Sequence, residues 1–179
     1  MTVFISGGAK NGKSTLAQNM ALSLADGGRH YYVATMISTG REDDDRIVRH
    51  IADRAGQGFE TVECFRDLTD ILQTVSPEGT FLVDSVTALV QNALFPPEKQ
   101  YAMDIPAAER CVDELIGFAR RVKNAVFVSD YIYADGMPYG EETKAYCRCL
   151  AQADRRLAQM CDTAVEVSAG QYIVYKGKL

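Results

Sequence analysis

Histidine is scarce and tryptophan is missing: the chain holds two histidines, His30 and His50, and no tryptophan. Any imidazole chemistry therefore has two addresses, and a site built from several histidines is excluded. Cysteine occurs five times, at Cys64, Cys111, Cys147, Cys149 and Cys161, but never as C-x-x-C. Spaced zinc-ligand pairs are thus absent, and Cys147 and Cys149 on one expected helix would point about 200° apart. No run of about 18 apolar residues occurs, which excludes a helical membrane span, and the opening residues lack a basic segment followed by a long apolar core. A cytoplasmic protein with reduced thiols is expected. Positive charge is in deficit, with 19 Lys and Arg against 24 Asp and Glu and a net charge of −5. That balance argues against holding nucleic acid by bulk electrostatics, and none is expected as a partner. Five prolines and the lack of repeats or low-complexity tracts leave no visible linker, so residues 1–179, 47% hydrophobic, are expected to form a single domain.

What is present centres on Gly7-Gly8-Ala9-Lys10-Asn11-Gly12-Lys13-Ser14, directly after the apolar run Val3-Phe4-Ile5. The octet matches G-x-x-x-x-G-K-[ST] between a strand-like run and a helix-forming segment at residues 15–24, opened by Thr15. Glycines let successive backbone N–H groups turn toward a phosphate, and the helix N-terminus adds partial positive charge. Lys13 is expected to reach the β- and γ-phosphates of ATP or GTP, and Ser14 to reach Mg2+. Farther on, Thr80-Phe81-Leu82-Val83-Asp84 is a buried-type strand ending in a carboxylate. Downstream of a phosphate loop this is the form of a Walker B element, which assigns Asp84 to magnesium beside Ser14.

Between these motifs, Leu16, Met20 and Leu24 recur at the helical period and are expected to lie against a sheet. His30 opens a second strand, residues 30–35, in a structural role at its edge. Thr39-Gly40-Arg41-Glu42 has capping-box spacing with Asp43, Asp44 and Asp45 in the first turn, which predicts a helix over residues 41–55. Ile47 and Ile51 mark its apolar side. Arg46, His50 and Arg54 recur every four residues as a basic stripe that invites an anion, unless Asp43 and Asp53 balance it on a solvated face. Next come a strand at 59–64, a short helix near 68–75, a helix over 86–94 stopped by Pro96-Pro97, and a long loop at 96–106. A helix near 108–119, a strand over 125–129 and a loop at 130–140 holding Asp135-Gly136 follow. A helix over 141–160 and strands at 164–167 and 172–175 complete the chain. Strands alternating with helices behind a phosphate loop imply an α/β, P-loop NTPase-type fold: a mainly parallel central sheet flanked by helices, ending in an antiparallel hairpin.

Several of these pieces together resemble the bifunctional adenosylcobinamide kinase/adenosylcobinamide-phosphate guanylyltransferases. The phosphate loop is similar to that family's G-G-x-[RK]-S-G-K-S start, Tyr32-Val33-Ala34-Thr35 to its Y-I-A-T strand, and Arg46-Ile47-Val48-Arg49-His50 to its R-I-x-x-H helix. Leu82-Val83-Asp84-Ser85-Val86-Thr87 and Asn92-Ala93-Leu94-Phe95 resemble its L-x-[DE]-x-x-T and N-L-L-F elements. The resemblance implies phosphorylation of adenosylcobinamide by ATP or GTP, then transfer of GMP from GTP to adenosylcobinamide phosphate through a covalent guanylyl-histidine, here His50. It also implies phosphate contacts from Arg46 and Arg54, and a homotrimer whose neighbouring subunits complete each site. Departures cluster late: the family's S-N-E becomes Ser129-Asp130-Tyr131, and Tyr146, Arg148, Ala151, Asp154 and Arg155 stand at its F-x-D-x-x-G-x-x-N-Q positions. Two other readings stay open, a small-molecule kinase without the guanylyl step and a nucleotide-binding regulatory module. Lys13 and His50 favour the two-step enzyme, whereas Tyr131, Arg148 and Asp154 favour the others.

Overall fold

The computed structural model describes residues 1–133 and 136–178, apart from the side chain of Asp53. The balancing role expected of Asp53, and Asp135 of the 130–140 loop, lie outside the described residues. Seven strands form one sheet in the order β3-β2-β4-β5-β1-β6-β7. They are β1 (Thr2–Gly7), β2 (His30–Ala34), β3 (Glu60–Glu63), β4 (Thr80–Asp84), β5 (Asn124–Asp130), β6 (Thr163–Ser168) and β7 (Gln171–Lys176). Every pairing is parallel except the closing β6–β7 hairpin. The helices are α1 (Lys13–Ala25), α2 (Arg41–Asp53), α3 (Val86–Leu94), α4 (Ile105–Arg121) and α5 (Glu141–Met160).

The near-continuous apolar strands follow from a sheet covered on both faces. Successive side chains alternate between two cores. Tyr31, Val33, Phe81, Val83 and Phe127 join Leu89, Leu115, Phe118 and Leu150 from α3, α4 and α5 in the larger core. Phe81 anchors it, stacked on Tyr31 at 5.0 Å and edge-on to Phe118 at 5.2 Å. Val3, Ile5, Leu82, Val126 and Val128 meet Ala17 and Ala21 of α1 on the other face. Here the expected contact shifts: the methyls of Ala17 and Ala21 lie flat on the sheet, and Leu16, Met20 and Leu24 flank them, only partly buried. Small residues let this helix come close, which keeps the phosphate loop tight against the end of β1.

Three local expectations change. The α2 N-cap is Gly40, with no side-chain cap. Thr39 instead donates its N–H (3.0 Å) and hydroxyl (2.6 Å) to Asp43, so Asp43, not Glu42, is the carboxylate that reaches back. The apolar side expected of α2 does not enter a core: Ile51 is 53% exposed, and Ile47 is half-buried without joining either core. The segment after β3 winds as a 3-10 helix, Leu68–Gln73, and the 96–106 loop contains a second 3-10 turn, Pro97–Lys99. Asp104 caps α4 by accepting from the Ala107 N–H at 3.1 Å.

Candidate active site

Parallel register aligns the C-terminal ends of the strands. Gly7 stands opposite Asp130, and Ala34 opposite both Asp84 and Glu63. The phosphate loop, Asp84 and Asp130 therefore share one edge of the sheet, the edge where open α/β sheets bind ligands. A cavity of about 490 Å³ lies there.

From the phosphate loop, Ala9, Lys10, Asn11, Gly12, Lys13, Ser14 and Thr15 line this cavity, whereas Gly7 and Gly8 do not. Gly7 is required by packing: a Cβ there would strike the Val167 carbonyl oxygen and lie 2.8 Å from Asn11 Nδ2. Gly12, at φ +95°, makes the left-handed turn into α1 that non-glycine residues resist. Lys13 is only 6% exposed. Its Nζ donates to the Gly8 carbonyl oxygen at 2.5 Å and pairs with Asp130 Oδ1 at 2.6 Å. The Asp130 carboxylate thus occupies the Lys13 ammonium in the structure.

Across the cavity stand the residues of α2. Arg46, His50 and Arg54 all line it, so the four-residue stripe faces the site. His50 Nδ1 is buried, without a hydrogen-bond partner among the described residues, 3.9 Å from Asp84 Oδ2. Arg54 differs from the expectation of a stripe on an open helix face: it follows the last turn of α2 and is 8% exposed. Its guanidinium lies 3.7 Å over the Tyr32 ring and donates to the His50 carbonyl oxygen at 2.7 Å. This cation–π stack and hydrogen bond tie the His50 turn to β2.

Asp84 accepts from the Tyr32 hydroxyl at 3.2 Å. Burial raises its pKa and neighbouring Asp130 adds to the rise, while His50 and hydrogen bonds from Tyr32 and Ser14 oppose it. A buried carboxylate bonded to a hydroxyl, with no Lys or Arg paired to it among the described residues, suits a hard, oxygen-seeking cation. No group of three or more metal-ligating side chains occurs among the described residues. Magnesium at nucleotide sites needs only one or two protein oxygens besides the phosphates, so Ser14 and Asp84 fit such an ion.

Sequence reasoning missed Tyr32 as the residue that holds both Asp84 and Arg54, and the occupation of Lys13 by Asp130. Thr35 and Asn92 supply supporting hydrogen bonds beside the site. Thr35 donates to the Ser85 carbonyl oxygen at 2.9 Å and accepts from its N–H at 2.6 Å. Asn92 donates to the carbonyl oxygens of Thr35 (2.9 Å) and Phe65 (3.0 Å), fixing the loops beside the cavity. His30 is held away from the site, with Nδ1 and Nε2 each 2.9 Å from a backbone carbonyl oxygen, of Gly28 and Gln57.

Residues 3–174 match the cobinamide kinase / cobinamide phosphate guanyltransferase family, CobU. The chain belongs to this family. A bifunctional adenosylcobalamin biosynthesis protein, CobP, from Pseudomonas aeruginosa is 28% identical over 180 residues, 99% of each chain. Among solved structures, the flagellar accessory protein FlaH from Methanocaldococcus jannaschii superposes with a TM-score of 0.54 at 16% identity, covering 99% of this chain and 78% of that one. The ATPase domain of G40P gives 0.52 at 12% identity, covering 98% and 76%. These two likenesses are of fold alone. No helix among the described residues is long and apolar enough to cross a membrane.

Of the late positions singled out in the sequence, Asp130 lines the cavity, whereas Tyr131, Arg148 and Asp154 do not. Tyr131 donates to Glu166 at 2.9 Å, and Tyr133 to Asp154 at 2.8 Å. Arg148 lines a separate hollow of about 240 Å³ with Tyr133, Met137 and Lys144. Asp154 is 3% exposed, and burial pushes its carboxyl up to about 6 against hydrogen bonds from Ser129 and Tyr133. A carboxyl whose folded pKa is raised contributes its stability below the unfolded value near 4 and loses it as pH rises through about 6. Asp154→Asn is therefore expected to change stability little at pH 4 and to stabilise by about 3 kcal/mol at pH 8. Denaturant midpoints at the two pH values measure this, and an equal loss at both would show that hydrogen bonding outweighs desolvation.

Proposed function

We propose that this chain acts in cobalamin biosynthesis, phosphorylating the hydroxyl of adenosylcobinamide with ATP or GTP and then transferring GMP from GTP to adenosylcobinamide phosphate. The observation that carries this reading is that one cavity holds both the phosphate loop with Lys13 and the His50 imidazole. Lys13 and the loop N–H groups bind the β- and γ-phosphates. Ser14 and Asp84 would hold magnesium, which neutralises charge on the phosphate oxygens when bound.

In the guanylyl step, a neutral imidazole nitrogen attacks the α-phosphorus of GTP, a P–N bond forms, and the bond to the pyrophosphate oxygen breaks. A phosphate oxygen of the acceptor then displaces the imidazole and regenerates it. The Nδ1 of His50 faces Asp84, which favours the tautomer that leaves the Nε2 lone pair free. Arg46 contributes positive charge to the oxygens of the α-phosphate, and Arg54 acts from beneath by holding the His50 turn.

Purified protein incubated with α-labelled GTP is expected to take up acid-labile, alkali-resistant label, and none from γ-labelled GTP. No α-label, under conditions where nucleotide demonstrably binds, would move the weight to a kinase without the guanylyl step. Asp84→Asn is expected to raise the magnesium concentration needed for half-maximal turnover in both steps, and an unchanged titration would leave Asp84 a strand end. A homotrimer is part of this reading, since α2 leaves Val48 and Ile51 exposed on the helix that carries His50 and β7 leaves Tyr172, Ile173 and Tyr175 exposed on the sheet edge. Sedimentation as a monomer with both activities intact would discard the trimer.

A further inference from the structure

The strand order places β5 between β1, which runs into the phosphate loop, and β4, which ends in Asp84. The last residue of β5 is Asp130, in register with Gly7. Its side chain therefore stands between the phosphate loop and Asp84 and lines the cavity, 28% exposed. Its backbone is pinned, because the Asp130 N–H donates to Thr87 Oγ1 at 2.8 Å. The Asp84 carboxylate is engaged by Tyr32 and Ser14. Asp130 Oδ1 has a different partner, the Lys13 ammonium at 2.6 Å.

That partner cannot serve two anions fully. The β- and γ-phosphates of a bound nucleotide draw on Lys13, and Asp130 is left as a carboxylate with a weakened ion pair beside the terminal phosphoryl group. Facing phosphate oxygens alone it would only repel them. A hydroxyl approaching the phosphorus relieves this by donating its proton to the carboxylate. On the phosphoryl-transfer reading proposed above, the geometry points to Asp130 as the general base of that step.

The acceptor O–H proton passes to Asp130 Oδ1 as the acceptor oxygen bonds to the γ-phosphorus. The bond from that phosphorus to the β,γ-bridging oxygen breaks, and the nucleoside diphosphate leaves with the electron pair. The protonated Asp130 returns its proton to solvent after the product departs. Lys13 thus has two successive counter-charges, Asp130 before nucleotide binds and the phosphates afterwards, and the base becomes available only when the donor is in place. A base so positioned contributes about 10²- to 10⁴-fold in rate.

Asp130→Asn keeps the shape and removes the base. In the full chain, the Kd for ATP is expected to stay the same or tighten, because a neutral amide competes less for Lys13. The kcat for transfer from γ-labelled ATP to adenosylcobinamide is expected to fall by about 10²-fold or more. Asp130→Glu, which restores a carboxylate, is expected to recover part of that loss. The assignment is overturned if Asp130→Asn turns over within about threefold of wild type, or if nucleotide affinity collapses together with turnover, which would mark Asp130 as a structural support for Lys13. A wild-type chain that binds ATP but phosphorylates no adenosylcobinamide overturns the kinase reading itself and the base with it. An active wild type with an equally active Asp130→Asn overturns the base alone.

Discussion

Lys13→Ala is expected to lower both nucleotide-dependent steps by about 10²-fold or more, the usual cost of removing one preorganised charge from a transferring phosphate. The ammonium is 6% exposed and sits at the turn of the phosphate loop, where water replaces it poorly. Its loss also strips Asp130 of its counter-charge, so a carboxylate faces incoming phosphates with nothing to offset it. Nucleotide affinity should therefore fall as well as kcat, a split that steady-state kinetics with ATP and with GTP resolves. Normal turnover in either step would remove the phosphate loop from the place assigned to it.

His50→Ala is expected to abolish covalent label from α-labelled GTP, while His30→Ala keeps it. The difference rests on surroundings. His50 lines the cavity with Arg46, and its Nδ1 has no hydrogen-bond partner among the described residues. His30 has both ring nitrogens against backbone carbonyl oxygens and packs edge-on to Phe59 at 4.8 Å. Phosphorylation of the acceptor hydroxyl needs Lys13 and the phosphate loop but no imidazole, so it is expected to survive His50→Ala. Label retained in His50→Ala would place the nucleophile elsewhere. Retention of phosphorylation in the same variant shows that the chain still folds.

Much of this was legible in the chain because it is local. The strand ending at Asp84 and the helices over 86–94 and 141–160 coincide with β4, α3 and α5. Long, strongly periodic or sharply capped segments announce themselves without tertiary help. The start of α2 did not, because Thr39 is followed by two adjacent carboxylates, Glu42 and Asp43, and spacing alone does not say which one reaches back to it. Asp43 wins by taking both the N–H and the hydroxyl of Thr39. Arg54 followed the four-residue period on paper, yet α2 ends just before it, and the ring of Tyr32 on another strand recruits its guanidinium.

By itself, then, the sequence determined the phosphate loop, the carboxylate that ends β4 and the order of elements, since each depends on residues close together in the chain. The histidine worth testing came from the resemblance of the stretch from Arg46 to His50 to a family motif. Only the tertiary structure decided which groups meet. Sheet order is set by pairing between distant strands, and the insertion of β5 between β1 and β4 brings Asp130 against Lys13. A departure that read as a lost amide became a charge in the phosphate site. The same pairing of β2 with β4 sets Tyr32 beneath both Asp84 and Arg54, and through them positions His50. No local spacing encodes such contacts, because they arise when parallel register aligns the ends of strands far apart in sequence.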